Sequence, residues 1–301
     1  MTLFPIQLSK SQTIAFVSSR LGDSLLGMIT VNNLARNGFK VEVFSNYLFA
    51  LKDWFPWVVI HSQPAVEQAE TIFKNFDILL HIFKADIIAN ADKWHQGLRI
   101  LEHSSYNQLR IPYTEIHVKF CKYELLLENV VKNNNMIYPA GLTHRKHLQR
   151  IAIHPTSYEK FKNWLPKRFL KLAKQLQAMG YQAEFIVAAD ERKEWLWLLK
   201  EGFSLPEFSS LDVVARWLYE SGWFIGNDSG IGHLASNLGI PTLTLGMRKR
   251  VMQRWRPSWS EGVILFPPVW LITRPLKEHF WKYFISVKKV MAAFQRLKSS
   301  G

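Results

Sequence analysis

Asp228-Ser229-Gly230-Ile231-Gly232-His233 puts an acid, a hydroxyl, two glycines and an imidazole within six residues. Small residues at a strand-to-helix turn leave backbone N–H groups open, and the positive end of the helix dipole adds attraction for an anion such as phosphate. His233, one turn on, is expected to face the same mouth. A second group is Thr156, Ser157 and Lys162: two hydroxyls and an ammonium suited to phosphate oxygens, with Lys160 as a second candidate. A third is Asp190-Glu191, acids that can accept hydrogen bonds from ribose hydroxyls. The fourth is Asp23, which follows Gly22 at a strand-to-helix junction and would sit at the crevice rim of an open α/β sheet. Each has a plainer reading: a capped turn, a solvated loop, an ordinary helix-start acid, an N-cap. Convergence of Asp, Ser, Gly and His on one helix start, with no packing reason for it, weighs against the plainer reading there.

The elements that must hold these groups alternate. Trp223–Ile225 reads as a buried strand, and Gly226–Gly230 as a turn with Asp228 or Ser229 as cap. Ile231, Leu234, Ala235 and Leu238 follow at helical spacing, Gly239 stops the helix, and Thr242–Leu245 is the next strand. Upstream, Ile151–His154 and Gln182–Ala188 are strands around a helix that starts at Pro166 and buries Phe169, Leu172, Ala173 and Leu176. Ser210 caps a further helix carrying Leu211, Val214 and Leu218. In the first half, Thr13–Val17, Val41–Phe44, Trp57–His61 and Asp77–Ile82 read as strands, with a helix over Ser24–Asn37. This is βαβ order, which predicts parallel sheets with right-handed crossovers. Residues 84–138 read as helical with loops, and the polar, basic stretch from Asn133 to Arg150 as a linker. Phe280, Phe284, Val287, Met291 and Phe294 recur at three and four, predicting a terminal amphipathic helix.

The 301 residues suit two domains, and 48% hydrophobic residues suffice for real cores. Cys121 is the single cysteine, so no intrachain disulfide forms, which suits a reducing compartment. Met1–Gln12 has no long apolar core and no stretch nears the ~20 apolar residues of a membrane span, so a cytosolic protein is expected. The net charge of +14 calls for an anionic partner. Between Asp228 and Glu261 no acid occurs, while Arg248, Lys249, Arg250, Arg254 and Arg256 do, with Trp255 and Trp259 among them. Such a patch suits a membrane surface, single-stranded nucleic acid, or solvent alone. Nucleic acid leaves the 228–233 cluster unexplained and ranks below the others. The histidines show no metal-ligand spacing, and neither a nucleophile elbow nor a Walker loop is present.

Three separated stretches resemble glycosyltransferase family 9, the heptosyltransferases of lipopolysaccharide core assembly. They are Ser19-Arg20-Leu21-Gly22-Asp23, Thr156-Ser157 with Lys162-Asn163-Trp164, and Gly226-Asn227-Asp228-Ser229-Gly230 with His233-Leu234-Ala235 and Gly239-Ile240-Pro241. The resemblance implies an α/β GT-B fold, two Rossmann-like domains facing across a cleft. Residues 1–145 would be the acceptor domain and 146–278 the nucleotide-sugar domain, with 279–301 a helix crossing back onto the first. It also implies inverting, metal-independent transfer of a heptose-like sugar, without a cofactor. The donor would be ADP-heptose. The acceptor would be a lipid-linked phosphorylated saccharide, met in the cytoplasm at the inner membrane.

In that scheme Asp23 is the base and Lys162 neutralises the leaving diphosphate in place of a metal. Thr156, Ser157, Glu191, Phe208, Asp228, Ser229, Gly230 and His233 hold the donor. Arg248, Arg250, Arg254 and Arg256 meet acceptor phosphates or the membrane. The chain departs from the family pattern at Ile29, where a proline is usual, at Leu165, which separates Trp164 from Pro166, and at Gly246-Met247-Arg248-Lys249-Arg250, which replaces a Gly-Pro-Thr-like loop. The last departure leaves open another nucleotide-sugar donor or a non-catalytic transferase-like protein.

Overall fold

The computed structural model describes residues 5–82, 86–88, 90–256, 258–268 and 274–300. The first four residues of the Met1–Gln12 stretch therefore lie outside the described part. The chain divides into two compact units, Met1–Pro139 and Ala140–Gly301.

In the first unit the elements run β1 (Thr13–Val17), α1 (Leu21–Arg36), β2 (Lys40–Phe44), α2 (Asn46–Ala50), β3 (Val59–His61), α3 (Val66–Phe73), β4 (Ile78–His81), α4 (Ala91–Trp94), β5 (Leu98–Ile100) and α5 (Tyr113–Lys119). The sheet order is β3-β2-β1-β4-β5, with every pairing parallel. Ile14 to Val17 are all buried, as an apolar central strand covered on both faces must be. A Cβ at Gly27 would overlap the Phe16 ring, so the glycine lets α1 lie close on β1. Strand β5 falls in the region read as helix and loop. Its three residues, Leu-Arg-Ile, are too few to show a period.

The second unit runs β6 (His147–His154), α6 (Pro166–Ala178), β7 (Gln182–Phe185), α7 (Trp197–Lys200), α8 (Leu211–Tyr219), β8 (Ser221–Asn227), α9 (Gly230–Asn237), β9 (Thr242–Leu245), α10 (Lys249–Trp255), β10 (Gly262–Leu265), α11 (Arg274–Phe284) and α12 (Val287–Ser300). Its sheet order is β10-β9-β8-β6-β7, again all parallel, with a further bridge from Glu184 of β7 to Ser204. The chain leaves β6 toward one edge and returns on its other side as β8. The β6/β8 pair is therefore the switch point, where open α/β sheets bind ligands beyond the strands' carboxyl ends.

The terminal helices differ from expectation. Trp281, Ile285, Val290, Phe294 and Leu297 are buried in one cluster with Phe169, Leu172 and Leu176 of α6 and Trp223 of β8. The apolar face read as belonging to the first domain is thus part of the second unit's core. Two side chains fix it there. Trp164 Nε1 donates to the Ile285 carbonyl at 3.0 Å, and the Arg168 guanidinium donates to the carbonyls of Lys282, Tyr283 and Ile285 at 2.9, 2.9 and 2.6 Å. A cation on the open carbonyls at a helix C-terminus also answers the dipole.

Candidate active site

The site grows from the carboxyl ends of β6 and β8. His154 lies beside Gly226 in the ladder, and a Cβ at Gly226 would come 2.8 Å from the His154 carbonyl oxygen, which only glycine avoids. Asn227 ends β8 fully buried. Its Oδ1 accepts the Trp164 N–H at 3.0 Å and its Nδ2 donates to the Pro155 carbonyl at 2.6 Å. One amide thus ties both flanks of the loop after β6 to the end of β8, using the donor and acceptor that an amide carries together. Sequence reasoning passed over Asn227 as a site residue. A buried amide directly before the Asp-Ser-Gly turn was the available signal.

Ser229 is the cap of α9: its hydroxyl accepts the Gly232 N–H at 3.3 Å. The choice between Asp228 and Ser229 is thereby decided, and Asp228 is left for the cavity it lines. Burial raises the Asp228 carboxyl pKa, while the nearby Lys162 ammonium lowers it and Glu159 raises it further. Lys162 closes a short turn over Lys160–Lys162, with Nζ 2.6 Å from Glu159 Oε2. Lys162, Asp228, Glu159, Arg248 and Glu278 line one cavity of about 180 Å³, with Leu245, Met247, Val251 and Met252 as apolar wall. Lys160 instead pairs with Glu194 in the open, at 83% and 66% exposure, so Lys162 is the lysine of the cavity.

Thr156 and Ser157 are buried. Thr156 donates to Glu191 Oε2 at 2.8 Å, and Ser157 contacts the Glu159 carbonyl at 3.0 Å and Asn163 Oδ1 at 2.7 Å. Glu191 is thus joined to the loop after β6, and Asp190 beside it is exposed. Phe208 packs edge-on against Trp217 at 5.7 Å, and that indole also carries the Arg150 guanidinium at 4.5 Å. Phe208 is not among the cavity's lining residues.

His233 is the fourth residue of α9. Its ring is buried, sits 6.2 Å from Trp259 edge-on, and hydrogen-bonds the Trp255 backbone. Burial lowers its pKa to about 4, so it is neutral at pH 7 and brings no cation to the helix mouth. The four arginines also part company. Arg248 lines the cavity and ion-pairs with Glu278. Arg250 and Arg256 are exposed, and Arg254 is half-buried.

In the first unit Asp23 is the third residue of α1. The N-cap is Arg20, whose side chain makes no capping bond, so the N-cap reading of Asp23 does not hold. Around it Ser24 Oγ donates to Ser18 Oγ at 2.9 Å and lies 3.1 Å from Ser45 Oγ. Gln63 Nε2 donates to the Ser18 carbonyl and to Ser19 Oγ, both at 2.9 Å. Among the described residues there is no group of three or more His, Cys, Asp or Glu able to hold a metal ion. Cys121 is buried, its thiol pushed up to about 12.

Residues 126–266 match glycosyltransferase family 9 (heptosyltransferase). That segment is a little under half of the chain. It contains the Thr156–Lys162 and Asp228–His233 groups but not Asp23. Over 131 residues the chain is 29% identical to lipopolysaccharide heptosyltransferase 3 of Escherichia coli K12, and it spans 35% of that protein's length with 38% of its own. The structure of a family 9 glycosyl transferase from Veillonella parvula superposes with a TM-score of 0.76 at 14% identity, covering 98% of this chain and 99% of that one. An E. coli heptosyltransferase crystallised with ADP-2-deoxy-2-fluoro heptose superposes at 0.68, with 14% identity and coverage of 96% and 100%. At such identities the likeness is one of fold: two Rossmann-like units, each on a parallel sheet.

Proposed function

We propose that the chain is an inverting glycosyltransferase moving a heptose-like sugar from a nucleotide diphosphate donor, ADP-heptose, to a lipopolysaccharide core acceptor. The observation that supports it most is the cavity at the β6/β8 switch point. There a lysine and an aspartate meet beside a serine-capped helix start, inside the stretch that matches family 9. The acceptor hydroxyl oxygen bonds the anomeric carbon as the carbon–oxygen bond to the diphosphate breaks. The hydroxyl proton passes to Asp23. The diphosphate leaves with the bonding pair, and Lys162 and the α9 N–H groups compensate its charge. Thr156, Ser157 and Glu191 serve the nucleoside end, where Glu191 accepts from ribose hydroxyls. Arg250, Arg254 and Arg256 meet acceptor phosphates or the anionic inner-membrane surface. Among the described residues no helix is long and apolar enough to cross a membrane. Nucleic acid is not the partner in this reading, and the enzyme works in the cytoplasm.

The test is calorimetry with a panel of ADP- and UDP-sugars, followed by transfer to a core acceptor. ADP-heptose is expected to bind and turn over. Selective binding of a UDP-sugar would favour the second reading, another donor, which the Gly246–Arg250 loop motivates. In the same assay turnover should survive a strong chelator. Loss restored by magnesium, manganese or iron would contradict metal-independence.

A further inference from the structure

The cavity beside Asp228 holds two cations, and each already has a carboxylate. Lys162 Nζ is 2.6 Å from Glu159 Oε2, and Arg248 pairs with Glu278 from α11. Both carboxylates line the cavity with the cations they bind, so two positive groups face three acidic ones once Asp228 is counted. The Arg248 and Glu278 side chains are only 30% and 28% exposed, unlike the open Lys160–Glu194 pair. An enclosed pair is screened less by water and salt than one on the open surface.

Two unmatched cations sharing one small cavity would repel and carry a desolvation cost. The two glutamates remove it, but they also cancel the attraction a diphosphate needs. A guanidinium suits an exchange of partners, because its planar fork takes a carboxylate or a phosphate in the same two-pronged geometry. The wall beside it includes Met247 and Met252, flexible side chains that can repack as partners change.

Resting on the donor reading above, we propose that Arg248 is a second diphosphate-binding residue of this cavity, and that Glu278 and Glu159 are built-in counter-anions displaced by the donor's diphosphate. Arg248 then leaves the membrane patch and joins Lys162. Removing the Glu278 charge should tighten the site, the opposite of what loss of a structural ion pair does.

The experiment is calorimetric titration of the full chain with inorganic pyrophosphate and with adenosine, which lacks phosphate. Thermal unfolding confirms that each variant is folded. Arg248→Gln should weaken pyrophosphate by about tenfold, the weight of one hydrogen bond to a charged group. Glu278→Gln should tighten it by about fivefold, the scale of a partly exposed ion pair no longer broken on binding. Adenosine affinity should not move in either. Glu278→Gln weakening pyrophosphate as Arg248→Gln does would overturn the proposal, since the carboxylate would then orient Arg248. Pyrophosphate binding sensitive to Lys162→Gln but indifferent to Arg248→Gln would also overturn it, leaving the donor reading intact. Wild-type protein binding neither pyrophosphate nor any nucleotide diphosphate would sink both.

Discussion

At the carboxyl ends of β1 and β2 in the first unit lies a network of neutral polar groups. Ser18, Ser24, Ser45 and Gln63 share hydrogen bonds among hydroxyls, an amide and a carbonyl, with Asp23 nearby in the first turn of α1. At the carboxyl ends of β6 and β8 in the second unit the groups are charged: Lys162, Glu159, Asp228, Arg248 and Glu278 face one cavity. The same sheet architecture thus ends in two chemistries. A hydroxyl network ties the loops after β1 and β2 to α1. A cluster of opposed charges can rearrange around an anion. On the proposed reading, acceptor activation falls to the first unit and the diphosphate to the second.

The largest expected effect falls on the first unit. Asp23→Asn should cut transfer by about 100- to 10,000-fold, the weight of a general base. Donor affinity and thermal stability should hold, because Asp23 is not the cap of α1. A near-wild-type transfer rate in a steady-state assay would remove Asp23 from the mechanism. Next comes Asn227→Ala, which orphans the Pro155 carbonyl and the Trp164 N–H. It should cost about 2–4 kcal/mol in denaturant unfolding, from two buried groups left unpaired. An unchanged midpoint would show that the clamp on the second unit's loop is dispensable. Lys162→Ala should weaken donor binding by about 1.5–3 kcal/mol, as for a hydrogen bond to a charged group. Lys160→Ala should leave it unchanged, since Lys160 is paired in the open. Calorimetry reversing that order would move the phosphate site.

The last effect is shared by both units. Burial lowers His81, His154 and His233 to about 4 and His117 to about 3, from an unfolded value of 6.5. Groups with depressed folded pKa values contribute stability that is present above pH 6.5 and lost as pH falls toward 4, because the unfolded chain binds the protons first. The melting temperature should therefore decline across that window. A flat profile from pH 7 to 4.5 would contradict the burial of these rings.

Much of the second unit was legible because its patterns are local. Phe169, Leu172, Ala173 and Leu176 are all buried on α6, as their spacing requires, and Ser210 and Ser229 both cap. The Asp-Ser-Gly turn lies where the strand–turn–helix reading put it. What escaped depends on distant partners. Arg248 and Glu278 are thirty residues apart, and nothing near Arg248 announces its counter-charge. His233 follows a phosphate-like turn in sequence, yet its ring contacts Trp259. Periodicity showed that the terminal helix buries a face but could not say against which unit. Strand β10, which pairs with β9 and opens on Gly262 after the basic stretch, carried no alternating pattern.

The most direct test is a crystal of the protein grown with ADP. Diphosphate density is expected at the Ser229 start of α9, with Lys162 turned onto it. Nucleotide bound at the β1–α1 turn beside Asp23 would reverse the roles of the two units and contradict the account.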